Sequence, residues 1–359
     1  MEREALKARF LAAHGLADAR RVKLAGDAST RGYERLTAPD GARLILMDQP
    51  PQAETQPCPP DATEAERLAA GYNAMSRLAA GRIEAFVTIA GWLREQGLSA
   101  PRIVGHDSLA GLAVLEDLGD ALFATKIAAG GDETPLYEAA VDVLARLHRA
   151  PPRLDIDGES WPLLSYDRLA LASGTDTFLE FWPPFAGLPA FDEAAVAQWR
   201  DLWAPVFARG EAGADAFAHR DYHAQNLLWL PERAGVARVG LLDFQDAVVA
   251  HPAWDLTHLL QDARRDVSPE LEAAMLDRYL AARPHLDRDA FLADYRALAA
   301  SNAARILGRV FARQALLGRT QYEAFMPRTW RYLERNLEDP RLAGLRAWFD
   351  RHVPPGARA

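Results

Sequence analysis

The sequence predicts an α/β chain in two unequal parts, a small sheet-bearing part followed by a larger, mostly helical one. Three observations predict it. Short apolar runs separated by turn residues fill the first third of the chain. Helix-spaced apolar residues dominate from Leu136 onward. At 359 residues the chain is long enough for two domains, or for one large fold in two lobes.

Taken in order, residues 21–26 and 32–37 read as short strands. Pro39-Asp40-Gly41 is a turn, because proline presets φ and glycine accepts positive φ. Leu44-Ile45-Leu46-Met47 reads as the next strand. Residues 50–61 hold five prolines and read as irregular. Phe86, Ile89, Ala90 and Leu93 give residues 83–96 an apolar helical face, which Gly97 stops. Residues 102–106 and 112–115 complete a lobe of five strands around one helix, ending near Leu118. Leu136, Ala139, Ala140, Val143, Leu144 and Leu147 mark a helix buried on one face. Residues 226–230 and 237–242 read as a hairpin across a turn at 231–235. After Asp255 the pattern is helical, and residues 354–359 read as a frayed tail.

Composition excludes several classes. Hydrophobic residues make up 49% and charged residues 25%, as in ordinary globular proteins and unlike disordered, collagenous or coiled-coil chains. Against 50 acidic residues stand 41 basic ones, a net charge of -9 that argues against a general nucleic-acid or membrane-surface binder. Cys58 is the sole cysteine, so no intrachain disulfide and no cysteine-based zinc or iron–sulfur site forms. The first ten residues lack the apolar core of a signal peptide. The longest apolar run, residues 85–93, falls far short of the roughly 18 residues that a spanning helix needs. The expectation is a cytoplasmic protein with no membrane association and no obligate protein partner.

The chemistry concentrates in His219-Arg220-Asp221-Tyr222-His223-Ala224-Gln225-Asn226, which fits H-R-D-x-x-x-x-N. Leu241-Leu242-Asp243 then puts an aspartate at the end of the hairpin's second strand. Phosphoryl transfer of the kinase type needs these groups. One aspartate accepts or orients the proton of the attacking hydroxyl; an asparagine and a second aspartate hold the magnesium ions that bridge the phosphates. The hairpin brings Asp243 back beside Asn226, so Asp221, Asn226 and Asp243 converge from one short stretch.

Residues 221–243, with Phe244-Gln245-Asp246-Ala247 and His251-Pro252-Ala253-Trp254-Asp255-Leu256, resemble the aminoglycoside-phosphotransferase and choline-kinase superfamily. The likeness is greatest to bacterial sugar kinases that phosphorylate N-acetylmuramate and N-acetylglucosamine at the C1 hydroxyl in cell-wall recycling. It extends to residues 26–33, 45–51, 115–120 and 305–311. The resemblance implies a bilobal, protein-kinase-like fold, with a nucleotide-binding lobe at 1–118 and a catalytic and substrate-binding helical lobe at 119–359. It implies ATP and Mg2+ as cofactors and a small sugar as partner. It also implies that Met47 lines the nucleotide cleft, and that the backbone around Glu116 and Leu118 is the hinge that hydrogen-bonds adenine.

Other candidates carry two readings each. Ser29, Thr30 and nearby backbone N–H groups cover phosphates, or form an ordinary polar turn. The strand of Met47 lacks the lysine that protein kinases place there. Arg31 is the candidate substitute, with different reach and geometry. His223 faces the substrate or is a loop residue. Trp182, in an aromatic-rich segment, stacks on a sugar or belongs to the core. Glu180 binds sugar hydroxyls or is a solvated helix residue. Arg305, Arg309 and Arg313 recur every four residues, on one face of the expected helix. They bind an anionic group, such as the lactyl carboxylate of N-acetylmuramate, or salt-bridge to acidic residues. His219 and Arg220 read as structural, and Asp255 as the anchor of the loop through backbone N–H groups. Two other functions stay open: a kinase of another small hydroxyl compound (aminoglycoside, amino alcohol or different sugar), and a catalytically silent nucleotide-binding module.

Overall fold

The computed structural model describes residues 2–24, 31–50, 58–79, 81–149, 155–156 and 159–358. The candidates Ser29 and Thr30 lie outside them. A five-stranded antiparallel sheet forms the first lobe: β1 (Arg20–Lys23), β2 (Gly32–Thr37), β3 (Arg43–Asp48), β4 (Ile103–Asp107) and β5 (Leu112–Glu116), in the order β1-β2-β3-β5-β4. Side chains alternate across it, as a two-residue period requires. Leu44 and Leu46 of β3, with Leu112 and Val114 of β5, face α1 (Glu2–Ala13) and meet its Phe10 and Leu11. Ile45, Met47, Ala113 and Leu115 face the other way, toward α4 (Ile83–Glu95) and the main core.

The lobe was expected to hold one helix, and α1 was missed. Its buried face is partly cationic, which hides the apolar period. Lys7 is 8% exposed yet pairs with Glu4, Glu34 and Asp48, and Arg3 pairs with Asp48. Two short helices, α2 (Glu64–Ala70) and α3 (Tyr72–Met75), precede α4. They pack on the helical lobe: Arg67 pairs with Asp167, and Ser76 Oγ lies 2.9 Å from Ser173 Oγ.

The second lobe begins with α5 (Phe123–Ala128) and α6 (Thr134–Leu147), followed by a minimal ladder of β6 (Asp155–Ile156) and β7 (Glu159–Ser160). Helices α7 (Arg168–Thr175), α8 (Thr177–Phe185) and α9 (Glu193–Ala212) follow. Then come four three-residue strands: β8 (Ala216–Ala218), β9 (Leu227–Trp229), β10 (Val239–Leu241) and β11 (Val248–Ala250). β9 and β10 form the expected hairpin; β8 and β11, too short to show a period, pair antiparallel beneath the loop at 219–221. Helices α10 (Ala253–Leu260), α11 (Pro269–Ala282), α12 (Arg288–Arg305), α13 (Arg313–Leu316), α14 (Met326–Asn336) and α15 (Ala343–His352) complete the chain.

Between α12 and α13, Ile306–Ala312 is wound as a π-helix. The expected arginine face is kept, although the helix that carries it is not regular: a step of four residues stays close to one turn in either winding. Arg305 and Arg309 both act on Tyr72, and Arg309 and Arg313 on each other. Their contacts are His258, the Tyr72 ring and the Phe181 ring. Gly308 permits the close seat of this segment on α8. A Cβ there would lie 2.5–2.6 Å from backbone atoms of Thr177 and Phe178. Among the described residues, no helix is long and apolar enough to cross a membrane.

Candidate active site

The loop carrying Asp221 is held from beneath by one buried carboxylate. Asp255, fully buried in the first turn of α10, accepts the His219 N–H at 2.6 Å and the Arg220 N–H at 2.8 Å. This is the anchoring role expected of it. Burial raises the Asp255 carboxyl to about 7; the two N–H groups lower it, and nearby Asp221 raises it. Arg220 takes φ 79°, a left-handed conformation that a side chain resists. Its guanidinium lies over the Tyr166 ring and donates to Ser76 O at 2.9 Å, tying the loop to the α3 segment. Tyr222 Oη donates to Ala140 O at 2.9 Å and fixes the loop to α6.

Asp221 thus stands on a loop fastened at three points. Burial raises its carboxyl, but His258, His223, Arg305 and Arg220 outweigh this and hold it at about 2. Burial and Arg305 drive His258 itself to about 3, so it is neutral near pH 7. The lasting opposite charges near Asp221 are therefore the two arginines. Asp221 is an ionised acceptor across the neutral range.

Asn226 enters from the start of β9. Its Nδ2 donates to Asp221 O at 2.9 Å, leaving Oδ1 without a donor among the described residues. The Leu242 N–H donates to Asn226 O at 3.0 Å, so the hairpin return sets Asp243 beside it. Asp243 also has a left-handed backbone, φ 61°. Its recessed position raises its carboxyl, Arg31 lowers it, and Asp221 and Asp246 raise it again. A carboxylate crowded by others, next to an open amide oxygen, is a hard-oxygen pair that suits a divalent cation. Among the described residues, no group of three or more His, Cys, Asp or Glu converges on a cage. Mg2+ does not need one, because it keeps waters and shares substrate phosphates.

Arg31 reaches across from the start of β2. One Nη donates to Asp243 Oδ1 at 3.0 Å, Gln245 Oε1 at 2.9 Å and Tyr33 Oη at 3.0 Å, while Nε donates to Gln49 Oε1 at 2.9 Å. The cation that sequence reasoning placed in the phosphate loop thus joins the two lobes at Asp243.

The remaining candidates separate. Met47 is only 1% exposed and packs in the main core, so it offers no open contact surface. That corrects its assignment as a nucleotide contact. Trp182 is also corrected. It is fully buried, stacks on Phe178, meets Trp330 edge-on and donates Nε1–H to Ala357 O at 3.1 Å. No sugar reaches it. Glu116 is occupied too: its N–H donates to Arg102 O and its carboxylate pairs with Arg94 and Arg233. Leu118 differs, for its backbone groups have no partner among the described residues. Glu180 is exposed on α8. His223 Nε2 lies 3.1 Å from an Arg264 Nη donor, which makes that nitrogen an acceptor.

Sequence reasoning missed Tyr72. Arg309 stacks on its ring with the guanidinium carbon 3.7 Å from the centroid. Burial raises the Tyr72 phenol, but Arg305, Arg220 and Arg309 outweigh it and lower it. Tyr72 begins a four-residue helix, too short to show a period, so its position carried no signal.

A family model described as "Phosphotransferase enzyme family" matches residues 21–292. An N-acetylmuramate/N-acetylglucosamine kinase of Caulobacter vibrioides is 61% identical over 360 residues, covering 99% of this chain and 98% of that one. A kinase of the same description from Pseudomonas aeruginosa is 26% identical, covering 94% and 90%. In fold, the chain is similar to the ADP-bound aminoglycoside phosphotransferase APH(2'')-Ib, with TM-score 0.52 at 13% identity, covering 89% of this chain and 98% of that one. It is likewise similar to an ethanolamine kinase of Plasmodium vivax, with TM-score 0.51 at 11% identity, covering 90% and 83%. With its two lobes, its anchored H-R-D loop and a family match over most of its length, the chain belongs to the phosphotransferase enzyme family.

Proposed function

We propose that this protein is an ATP-dependent sugar kinase that phosphorylates the C1 hydroxyl of N-acetylmuramate and N-acetylglucosamine. The observation that carries the mechanism is the arrangement of Asp221, Asn226 and Asp243 around one fastened loop. The similarity to the Caulobacter vibrioides kinase supports the choice of sugars.

Asp221, ionised because Arg305 and Arg220 lower its pKa, accepts a hydrogen bond from the C1 hydroxyl and aims the oxygen at the γ-phosphorus. A carboxylate so acidic is a weak base. It orients the hydroxyl first and takes the proton late, as the bond to phosphorus forms, which fits a loose transition state. Asn226 Oδ1 and Asp243 would hold Mg2+, which when bound shields the negative charge of the phosphate oxygens. Arg31 takes the place of the missing strand lysine. Its guanidinium, which contacts Asp243, would pair with the phosphates when Mg2+ is held there. The backbone of Leu118 pairs with adenine. Residues 1–118 then supply the nucleotide lobe and residues 119–359 the catalytic and sugar-binding lobe, in a cytoplasmic enzyme with access to ATP.

The test is direct. The purified protein is incubated with magnesium–ATP and, separately, N-acetylmuramate, N-acetylglucosamine, glucose and kanamycin, and the products are followed by phosphorus NMR. A C1-phosphate signal with the N-acetyl sugars supports the reading. ADP release only with kanamycin, or with none of the four, defeats it.

A further inference from the structure

Beside Asp221 stand three arginines that no carboxylate contacts directly among the described residues. Arginines elsewhere are commonly paired with carboxylates, as in Arg35–Asp117, Arg278–Asp142 and Arg328–Asp266. Among the described residues, Arg220, Arg305 and Arg309 make no ion pair. Their direct partners are neutral; at longer range Asp221 faces Arg220 and Arg305, Asp246 faces Arg220, and Glu180 faces Arg309. Arg305 donates to Asn302 Oδ1 at 2.9 Å and lies 3.2 Å from the neutral His258 Nε2. Arg220 donates to Ser76 O, and Arg309 stacks on Tyr72. Burying part of a guanidinium without a counter-charge is costly, and a chain with net charge -9 has carboxylates to spare. Asp221 is shared between Arg220 and Arg305, and Arg309, stacked on a neutral ring, is left to meet a counter-charge that arrives with the substrate.

Three structural devices converge here. The π-helical segment carries Arg309, which reaches Tyr72 of α3 together with Arg305. Gly308 lets that segment sit against α8. The α2–α3 segment, in sequence part of the first lobe, docks on the second through Arg67–Asp167 and carries Tyr72 over Arg309. The ring holds the guanidinium in place without neutralising it. A polycationic acceptor would need the opposite lining.

We propose that Tyr72, Arg305 and Arg309 form an anion subsite beside the candidate base, which takes the carboxylate of the substrate's lactyl ether and sets a preference for N-acetylmuramate over the neutral N-acetylglucosamine. The proposal rests on the sugar-kinase reading above. It makes Tyr72 and Arg309 determinants of specificity, with the chemistry itself left to Asp221.

The test compares kcat/KM for N-acetylmuramate, its neutral methyl ester and N-acetylglucosamine in the wild type, in Arg309→Ala and in Arg309→Lys. The wild type is expected to favour the free acid over its ester by about tenfold or more, the effect of a lost charge-assisted hydrogen bond. Arg309→Ala is expected to abolish that ratio, and Arg309→Lys to keep part of it. Equal use of acid and ester by the wild type overturns the subsite. So does a fall in Arg309→Ala that leaves the ratio intact. If Arg309→Ala does not fold, the wild-type comparison decides alone. Turnover of all three sugars without charge preference removes the subsite and spares the kinase reading. Turnover of none removes both.

Discussion

Replacing Asp255 by asparagine separates the positioning of the catalytic loop from the stability of the fold. The carboxylate accepts two buried N–H groups, at 2.6 and 2.8 Å. An amide offers one oxygen and one NH2, so one loop N–H faces another donor. Leaving a buried donor unsatisfied costs about 1–3 kcal/mol. Against this stands the cost of the native group. Its carboxyl rises from the ordinary 3.8 to about 7, with burial as the main cause. Between those values the folded state keeps a proton that the unfolded state has released, so the native group's contribution to stability falls as pH rises. At about 1.4 kcal/mol for each pKa unit, the loss reaches about 4 kcal/mol by pH 7 and then levels off. Asparagine carries no such dependence. Near pH 4 the native group is itself a neutral acid, but its hydroxyl oxygen still accepts a loop N–H where an amide NH2 cannot, so Asp255→Asn is expected to be less stable than the wild type there, and as stable or more so at pH 8. Its kcat should fall about 100-fold, the penalty of a misplaced reacting group. Urea unfolding at both pH values, with kcat at saturating sugar, checks this. A stability difference of the same sign and size at both pH values refutes the account of Asp255. So does a kcat within about threefold of the wild type.

Arg31→Ala should raise the KM for ATP by about tenfold, because it removes a charge-assisted partner of the phosphates; an unchanged KM for ATP in steady-state assays would remove Arg31 from the phosphate site. Trp182→Phe should lower stability by about 1–3 kcal/mol, through lost packing against Phe178 and Trp330 and a lost bond to Ala357 O. It should leave the KM for sugar within about twofold, since the ring is fully buried; thermal melts and sugar titrations test both halves, and a large KM change would return Trp182 to the substrate pocket.

The local grammar of the chain was legible where residues near in sequence form the structure. β2 occupies its expected range, and the β9–β10 hairpin follows its turn. The H-R-D loop, Asn226 and Asp243 converge because the connecting hairpin is short. Asp255 was readable as the anchor because its segment belongs to a family pattern. The failures share a cause: each depends on partners distant in sequence. α1 escaped because its buried Lys7 is neutralised by Glu34 and Asp48 of the sheet. Trp182, in a segment whose spacing is more often that of a core, was a candidate to stack on a sugar; Trp199, Trp330 and Phe349 close around Phe178 beside it. The arginine row lies across seven residues wound as a π-helix, a change of winding that no side-chain period announces. Tyr72 acquires meaning only through Arg309, more than two hundred residues away.

The central claim is that Asp221 receives the sugar hydroxyl and does not hold nucleotide. The most direct measurement sets Asp221→Ala against the wild type in two assays: phosphorylation of N-acetylmuramate by phosphorus NMR, and ADP affinity by calorimetry. The account predicts turnover reduced by about 1,000-fold or more, within the range of a lost general base, with ADP affinity within about threefold of the wild type. Turnover within about tenfold of the wild type, or ADP binding lost together with activity, would contradict it.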